Sequence, residues 1–178
     1  MSEILTYTGK MFDPLMPDSE LIDIRDIAHA LSMLCRANGH FPAFHSVGQH
    51  CLECAREAQA RGYSRRVQLA CLLHDGSEAY LSDVTRPVKK AMPLYLTFEE
   101  PLQEAIWNKW LGEPLTEEER RQVFAIDDEE LYHEFFHFTG YRLGETVPEL
   151  KVQPDFEFVS FRETEEAYLQ CFRELVSE

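Results

Sequence analysis

The chain has 178 residues, of which 44% are hydrophobic and 28% charged, and its formal net charge at pH 7 is -15. This length and composition predict one globular domain over residues 1–178, and no apolar run approaches the roughly 20 residues that a membrane-spanning helix needs. The negative charge disfavours a nucleic-acid polymer as partner, because binding to a phosphate backbone requires a basic face.

The N-terminal ten residues lack the basic start and apolar stretch of a secretion signal, so the expected location is the cytoplasm. The cysteines fall mostly in apolar helical stretches, which favours reduced core thiols. Cys51 and Cys54 form a C-x-x-C pair, but the second half of a zinc site is missing from the sequence. The five are Cys35, Cys51, Cys54, Cys71 and Cys171.

The first half of the chain predicts a hairpin followed by three helices. Residues 4–12 alternate loosely around a Thr-Gly-Lys turn, which indicates a small hairpin at the edge of the domain. Helical spacing then begins at Asp23, which is a plausible cap, and ends near Gly39. A second helix is predicted from Ser46 to near Gly62, and a third from Ser64 to about Tyr80.

The second half predicts further helices and one long connection. Three pairs have the spacing of a capping box at the start of a helix: Thr97 with Glu100, Thr116 with Glu119, and Ser160 with Glu163. Residues 141–159 contain glycine and prolines with weak periodicity, so they predict a connection without regular structure. The whole pattern indicates a compact all-α domain of about six or seven helices with a minor N-terminal β-hairpin.

Four polar residues stand at positions that packing alone does not explain. His74 and Asp75 follow each other on a mostly apolar stretch, and His50 lies early on the preceding predicted helix. Asp127 lies in the middle of a later helix, and we choose it over Asp128 because the residues four positions before and after it are apolar. Buried ionisable groups need a partner or a metal, so these four residues are candidate ligands.

This H…HD…D pattern resembles the HD-domain superfamily of metal-dependent phosphohydrolases. The run from His74 to Glu78, followed by Ser82-Asp83-Val84 and Pro87-Val88-Lys89, is similar to the HD-x-x-E…D…P-x-K run of the bacterial 5'-deoxynucleotidases. The front segment, including residues 9–12, 26–32 and 35–40, is similar to a phage and prophage branch with a dATP triphosphohydrolase. The resemblance covers roughly residues 6 to 130.

The resemblance implies an HD-type helical bundle with a metal held by His50, His74, Asp75 and Asp127 on three separate helices. Such a mixed nitrogen and oxygen set suits one divalent transition-metal ion, namely manganese, cobalt, iron or zinc. The sequence has no histidine between Asp75 and Asp127. Two-metal HD enzymes and HD-type oxygenases use extra histidines there, which argues for one metal and against oxygenase chemistry.

Other residues are expected around the ion. Glu78 is the candidate acid/base group, because it follows His74 by four positions and the two side chains would share one face of a helix. Asp83 is expected to accept a hydrogen bond from a sugar hydroxyl or to handle a proton. Arg36 and Lys89 are the cations placed on phosphate. A loop before the second helix carries two candidate substrate contacts, His40 and His45. Further along, His133 and His137 share one helical face and could bind a metal, but with Glu130 and Glu134 nearby a polar surface stripe is equally natural.

The leading hypothesis is an enzyme that hydrolyses a (deoxy)nucleoside phosphate. The substrate is a 5'-monophosphate, giving nucleoside and phosphate, or a deoxynucleoside triphosphate, giving nucleoside and triphosphate. One alternative is a non-catalytic HD-fold module that binds a nucleotide or a metal. Another is a structural zinc protein that uses His50, Cys51 and Cys54. The resemblance also implies a homodimer.

Overall fold

The computed structural model describes residues 3–177, and helices account for most of them. A two-stranded antiparallel hairpin, β1 (Ile4–Leu5) with β2 (Met11–Phe12), precedes the helices. A single 3₁₀ turn, Arg36–Gly39, separates the first two helices. The helices are α1 Ile24–Met33, α2 Val47–Ala60, α3 Arg65–Leu73, α4 Glu78–Leu81, α5 Arg86–Lys90, α6 Pro93–Leu111, α7 Glu117–Thr139 and α8 Phe161–Val176. The predicted all-α class with a minor hairpin is confirmed.

Helix α2 lies at the centre of the bundle, because it packs against α1, α3, α7 and α8. Gly48 permits the closest of these approaches: a Cβ at this position would lie 3.0 Å from Thr164 Cγ2 and 3.3 Å from the backbone of Leu31. Because α2 sits this deep, eleven of its fourteen residues are buried. A buried polar side chain on α2 therefore needs a partner in the interior.

The N-terminal hairpin contributes one strand residue, Phe12, to the core, whereas Ile4, Leu5 and Met11 are exposed. Phe12 is fully buried, and its ring lies 4.6 Å from that of Tyr80 between centroids. The backbone N–H and the hydroxyl of Thr8 donate to the carboxylate of Asp26 at 2.6 and 3.0 Å. The hairpin thus covers α1 and supplies partners for a buried carboxylate.

Helix α3 ends at Leu73, so the prediction of one helix running to Tyr80 is wrong. The chain turns through residues 74–77, where Gly76 donates its N–H to Leu73 and Glu78 donates its N–H to Asp75. A Cβ on Gly76 would lie 3.0 Å from the Leu73 carbonyl and 3.1 Å from Ile106 of α6. Close packing against α6 therefore sets this turn, and it places His74 and Asp75 just beyond the end of α3.

Helix α6 begins at Pro93, so the predicted capping box of Thr97 and Glu100 is wrong. A proline favours the first position of a helix because its φ is already helical and it has no N–H to leave unpaired. Thr97 lies inside the helix, where its hydroxyl donates to Leu94 at 2.7 Å. The two other predicted boxes are confirmed: Thr116 caps α7 and Ser160 caps α8, each with the reciprocal glutamate bond.

The predicted connection, residues 141–159, has no helix or strand and is held by hydrogen bonds to α2. The carboxylate of Glu57, which is fully buried, accepts the backbone N–H groups of Lys151 and Val152 at 2.9 Å. Within residues 3–177, none of the helices combines the length and the apolar character needed to cross a membrane.

The two threonines give a matched test of the helix starts. We expect Thr116→Ala to lower the free energy of unfolding by about 1 kcal/mol, because an N-cap is lost. Thr97→Ala should leave this free energy unchanged or slightly raise it, because alanine has the higher propensity inside a helix. Urea unfolding followed by circular dichroism measures both. A loss of stability for Thr97→Ala as large as that for Thr116→Ala would restore Thr97 as the cap.

Candidate metal centre

The four candidate ligands converge in one cluster at the junction of α2, α7 and the turn after α3. The Nε2 atoms of His50 and His74 are 3.2 Å apart. Asp127 Oδ1 lies 3.1 Å from His50 Nε2 and 3.6 Å from His74 Nε2. Asp75 Oδ2 lies 3.3 Å from His74 Nε2 and 3.9 Å from His50 Nε2. Two nitrogens and two oxygens therefore face one point.

These separations match those between ligands of a single transition-metal ion. With metal–ligand bonds of about 2.1 Å, neighbouring ligands lie about 3.0 Å apart in an octahedron and about 3.4 Å apart in a tetrahedron. The imidazoles are almost fully buried, whereas the side chains of Asp75 and Asp127 retain 17% and 16% exposure. Solvent therefore reaches the cluster on the side of the carboxylates and not on the side of the histidines. A metal ion held there would be accessible to solvent on the carboxylate side.

Both imidazoles are oriented by hydrogen bonds from their other nitrogen. His74 Nδ1 donates to the carbonyl of Cys71 at 2.7 Å, and His50 Nδ1 donates to Glu134 Oε1 at 2.7 Å. With Nδ1 as the donor, the Nε2 atom of each ring presents its lone pair to the cluster once Nε2 has lost its proton. Outer partners of this kind are usual around histidine ligands, because they fix the tautomer and the ring orientation.

The charges of the cluster favour a cation. Burial lowers the pKa of His74, but Asp75 and the other nearby groups outweigh burial and hold the pKa well above its usual range. The pKa of His50 is raised in the same way, with burial and Arg36 opposed by Glu134 and Asp127. Burial raises the pKa of Asp75, but the charge and hydrogen bond of His74 prevail and lower it to about 2. Positive charge is stabilised at this point, which is what a metal ion supplies.

Glu134 is the partner that sequence reasoning missed. Glu130 and Glu134 were expected on a polar surface stripe, but their residues are only 2% and 1% exposed. Asp127, Glu130 and Glu134 follow one another at three and four residues, which places all three on the inward face of α7. This helical spacing from Asp127 was the signal in the sequence that could have placed Glu130 and Glu134 in the interior. The other two stripe residues have separate partners: His133 Nε2 donates to Pro148 at 2.9 Å, and His137 packs on Phe156.

Arg36 reaches the cluster from the 3₁₀ turn. Its Nε and Nη2 donate to Glu134 Oε2 at 3.1 and 2.9 Å, and Nη1 lies 3.6 Å from Asp75 Oδ2. Arg36 is itself buried, so its charge is matched by the two carboxylates rather than by water. The structure therefore places this predicted phosphate contact beside a ligand, with its Nη1 edge facing the cluster.

Glu78 and Asp83 lie at the open side of the cluster. Burial, with the nearby charges of Asp75 and Asp83, raises the pKa of Glu78 well above its usual range. The Oε2 atom of Glu78 is buried and has no hydrogen-bond partner in the described part of the chain. Burial also raises the pKa of Asp83, although the nearby charge of Arg36 acts to lower it. The raised pKa favours the protonated form of Glu78, which suits this group to act as an acid.

Two cations from α5 line the same side. Lys89 Nζ lies 3.6 Å from Glu78 Oε1 and also pairs with Glu99. Arg86 was not predicted as a site residue, yet its Nη2 donates to Asp127 Oδ2 at 3.1 Å while Nη1 pairs with Asp128. Asp128 is 60% exposed in its side chain. Asp127 therefore faces the cluster and its neighbour faces solvent.

The two loop histidines take different positions. His45 is buried, and its Nε2 lies 3.3 Å from Glu134 Oε1, so it supports that carboxylate from behind instead of lying at the mouth. His40 is exposed, and within residues 3–177 no hydrogen bond or ion pair joins its side chain to the cluster. Of the two predicted substrate contacts, the structure brings only His45 near the ligands, and then as a support.

Buried thiols flank the imidazoles. Cys54 Sγ lies 3.6 Å from His50 Nε2. Two overlapping groups of donor atoms lie within 4.8 Å of one another, one formed by His50, Cys54 and His74 and the other by Cys51, His74 and Asp75. The buried histidine, cysteine and aspartate side chains together form a cluster that could hold a metal ion.

Comparison with known proteins gives two relatives. The chain is 36% identical over 110 residues to the uncharacterized protein YfdR of Escherichia coli (strain K12), which covers 62% of this chain and 59% of YfdR. It is 37% identical over 105 residues to the uncharacterized protein RCAP_rcc00048 of Rhodobacter capsulatus, which covers 56% of this chain and 53% of that protein. The chain thus spans somewhat more than half the length of these relatives. No protein-family model matches it.

The neighbouring aspartates of α7 give a matched test of the metal centre. We expect Asp127→Asn to weaken divalent-ion affinity by more than about 100-fold, because even outer-shell changes cost about 10- to 100-fold. Asp128→Asn should bind the ion as wild type does, since its carboxylate faces solvent. Calorimetric titration with Mn²⁺ or Zn²⁺, with elemental analysis of the purified proteins, measures both. Equal affinities for the two variants would remove Asp127 from the ligand set.

Proposed function

We propose that this protein is a metal-dependent phosphohydrolase of the HD type that acts on a (deoxy)nucleoside phosphate. The observation that carries the proposal is the convergence of His50, His74, Asp75 and Asp127 at ligand spacing, beside a buried carboxyl group, Glu78, whose pKa is raised. A purely structural metal site has no use for a buried carboxyl group with one oxygen left without a hydrogen-bond partner. The motif resemblance supports the same chemistry.

The donor set suits a single manganese, cobalt, iron or zinc ion. Such an ion polarises a phosphoryl oxygen and lowers the pKa of water, which supplies the nucleophile for ester hydrolysis at neutral pH. The protein's own residues then have three tasks. They orient the imidazoles through Glu134 and Cys71, hold the phosphate, and deliver a proton to the leaving group.

The reaction breaks the bond between the ester oxygen of the nucleoside and its phosphorus, and a water oxygen takes the place of that ester oxygen. Both candidate substrates share this step: a 5'-monophosphate releases phosphate and a deoxynucleoside triphosphate releases triphosphate. The leaving alkoxide needs a proton, and the acid form of Glu78, which the raised pKa favours, would supply it from the buried Oε2 atom. Asp83, beside it, is placed to accept from a sugar hydroxyl or to return the proton.

Three cations support binding of the anionic group. Arg36 offers its Nη1 edge, Lys89 stands beside Glu78, and Arg86 bridges to Asp127 at the rim. A guanidinium matches two phosphate oxygens at once, whereas an ammonium acts as a point charge. Their clustering in a chain of net charge -15 is the second feature that favours a phosphate substrate.

The decisive experiment compares wild type with Glu78→Gln on a panel of nucleoside mono- and triphosphates, with a divalent ion present and with phosphate and triphosphate both measured. We expect the variant to retain the ion but to lose about 10²- to 10⁴-fold in turnover, the range for removing a general acid. Glu100→Gln, an exposed glutamate on α6, is the control and should turn over as wild type does.

The pH profile gives the sign of the effect. Because the pKa of Glu78 is raised, its acid form persists to higher pH than that of an ordinary glutamate, and the wild-type rate should fall as pH rises through that pKa. The residual rate of Glu78→Gln should lack this fall. Nucleotide binding without release of any product by wild type would overturn the proposal in favour of a binding module.

The placement of the phosphate is tested by two adjacent lysines of α5. Lys89→Ala should weaken nucleotide binding by about 1.5 to 3 kcal/mol, the range for hydrogen bonds to charged groups, while metal content is unchanged. Lys90→Ala should bind as its parent does, because Lys90 is exposed and points away into solvent. Calorimetry in the Glu78→Gln background avoids hydrolysis during the measurement. If the two variants bind equally well, the phosphate lies away from α5.

A further inference from the structure

A second ligand set overlaps the one described above. Cys54 lies one helical turn after His50 on α2, and both residues are buried. Its Sγ is 3.6 Å from His50 Nε2, and these atoms lie within 4.8 Å of a ring nitrogen of His74. The thiol therefore shares the same two imidazoles with the carboxylates of Asp75 and Asp127.

The spacing of the thiol fits tetrahedral coordination by a thiophilic ion. With bonds of about 2.3 Å to sulfur and about 2.05 Å to nitrogen, a tetrahedral zinc ion separates a sulfur ligand from a nitrogen ligand by about 3.6 Å, and two nitrogens by about 3.4 Å. The observed separations are 3.6 Å for Cys54 Sγ to His50 Nε2 and 3.2 Å between the two Nε2 atoms.

We infer that Cys54 is an alternative ligand, so that the protein holds thiophilic and harder ions differently. A thiophilic divalent ion such as Zn²⁺ or Cd²⁺ is bound by His50, His74 and Cys54, with Asp127 within reach as a fourth ligand. A harder ion such as Mn²⁺ stays with His50, His74, Asp75 and Asp127, because soft sulfur ligands favour soft metals and carboxylates favour hard ones. The two sets share both imidazoles, so only one ion binds at a time.

Coordination by Cys54 requires its thiolate. The S–H proton passes to solvent as the metal–sulfur bond forms, so one proton is released for each ion that takes this ligand. Binding of Mn²⁺ through carboxylates releases none from this thiol. The two flanking cysteines belong to different donor groups: Cys54 Sγ contacts His50 Nε2, whereas Cys51 lies with His74 and Asp75.

The inference concerns which atoms hold the ion and does not depend on hydrolysis, so its failure leaves the proposed function intact. The test is a titration of the metal-free protein with Cd²⁺ and with Mn²⁺. Cd²⁺ should produce the ultraviolet sulfur-to-metal charge-transfer band in wild type. Cys54→Ser should lose this band and bind Cd²⁺ at least about tenfold more weakly, since a soft ligand for a soft ion is gone, while its Mn²⁺ affinity is retained.

One cysteine variant is a matched control. Cys171→Ser, on α8 and outside both donor groups, should keep the band, and circular dichroism confirms that each variant is folded. Cys54→Ala is the second test variant, and cadmium NMR of wild type alone reports sulfur ligation even where a variant is unstable. A cadmium-bound wild type without sulfur ligation, or a band that persists in Cys54→Ala, would overturn the inference.

Discussion

The hydrogen bond between His50 Nδ1 and Glu134 Oε1, 2.7 Å long, is the interaction on which the metal centre depends. An ionised carboxylate this deeply buried costs several kcal/mol unless other groups compensate its charge. The compensating groups are Arg36 of the 3₁₀ turn, His50 of α2 and His45 of the loop between them. Burial raises the pKa of Glu134, but Arg36 and His50 outweigh burial and hold this pKa well below its usual range. The same carboxylate therefore joins α7 to α2 and to the 3₁₀ turn, and sets the ring that carries a ligand.

Unusual backbone conformations lie beside the residues that flank the cluster. Three non-glycine residues of the described chain have positive φ: Ala37 and Asn38, at 52° and 51°, follow Arg36, and Ser82, at 71°, precedes Asp83. For residues with a Cβ this conformation costs of order 1–3 kcal/mol and persists only where the surroundings fix it. Arg36 is fixed by Glu134 and by its N–H bond to His45, so the ion pair and the turn support each other.

Local signals predicted the parts of the structure that depend on few neighbours. The caps Thr116 and Ser160 needed only residues three positions away, and the inward face of Asp127 needed only its apolar neighbours at four positions. The end of α3 was missed because it depends on the approach of Gly76 to Ile106, which no local pattern contains. Glu134 was missed because a glutamate on a helix of mixed polarity is normally solvated, and only the folded chain shows that His50 and Arg36 face it.

The balance of charge explains how the proposed function fits so acidic a protein. Each cation at the open side is already paired with a carboxylate: Arg36 with Glu134, Lys89 with Glu99 and Arg86 with Asp128. Charges elsewhere on the surface are screened within about 8 Å at physiological salt, so the local sign decides whether an anion is bound. Because the local cations are matched, a phosphate gains attraction only when a divalent ion adds its charge to the histidines and aspartates. On the proposed function, the ion is therefore required for binding the substrate as well as for its hydrolysis.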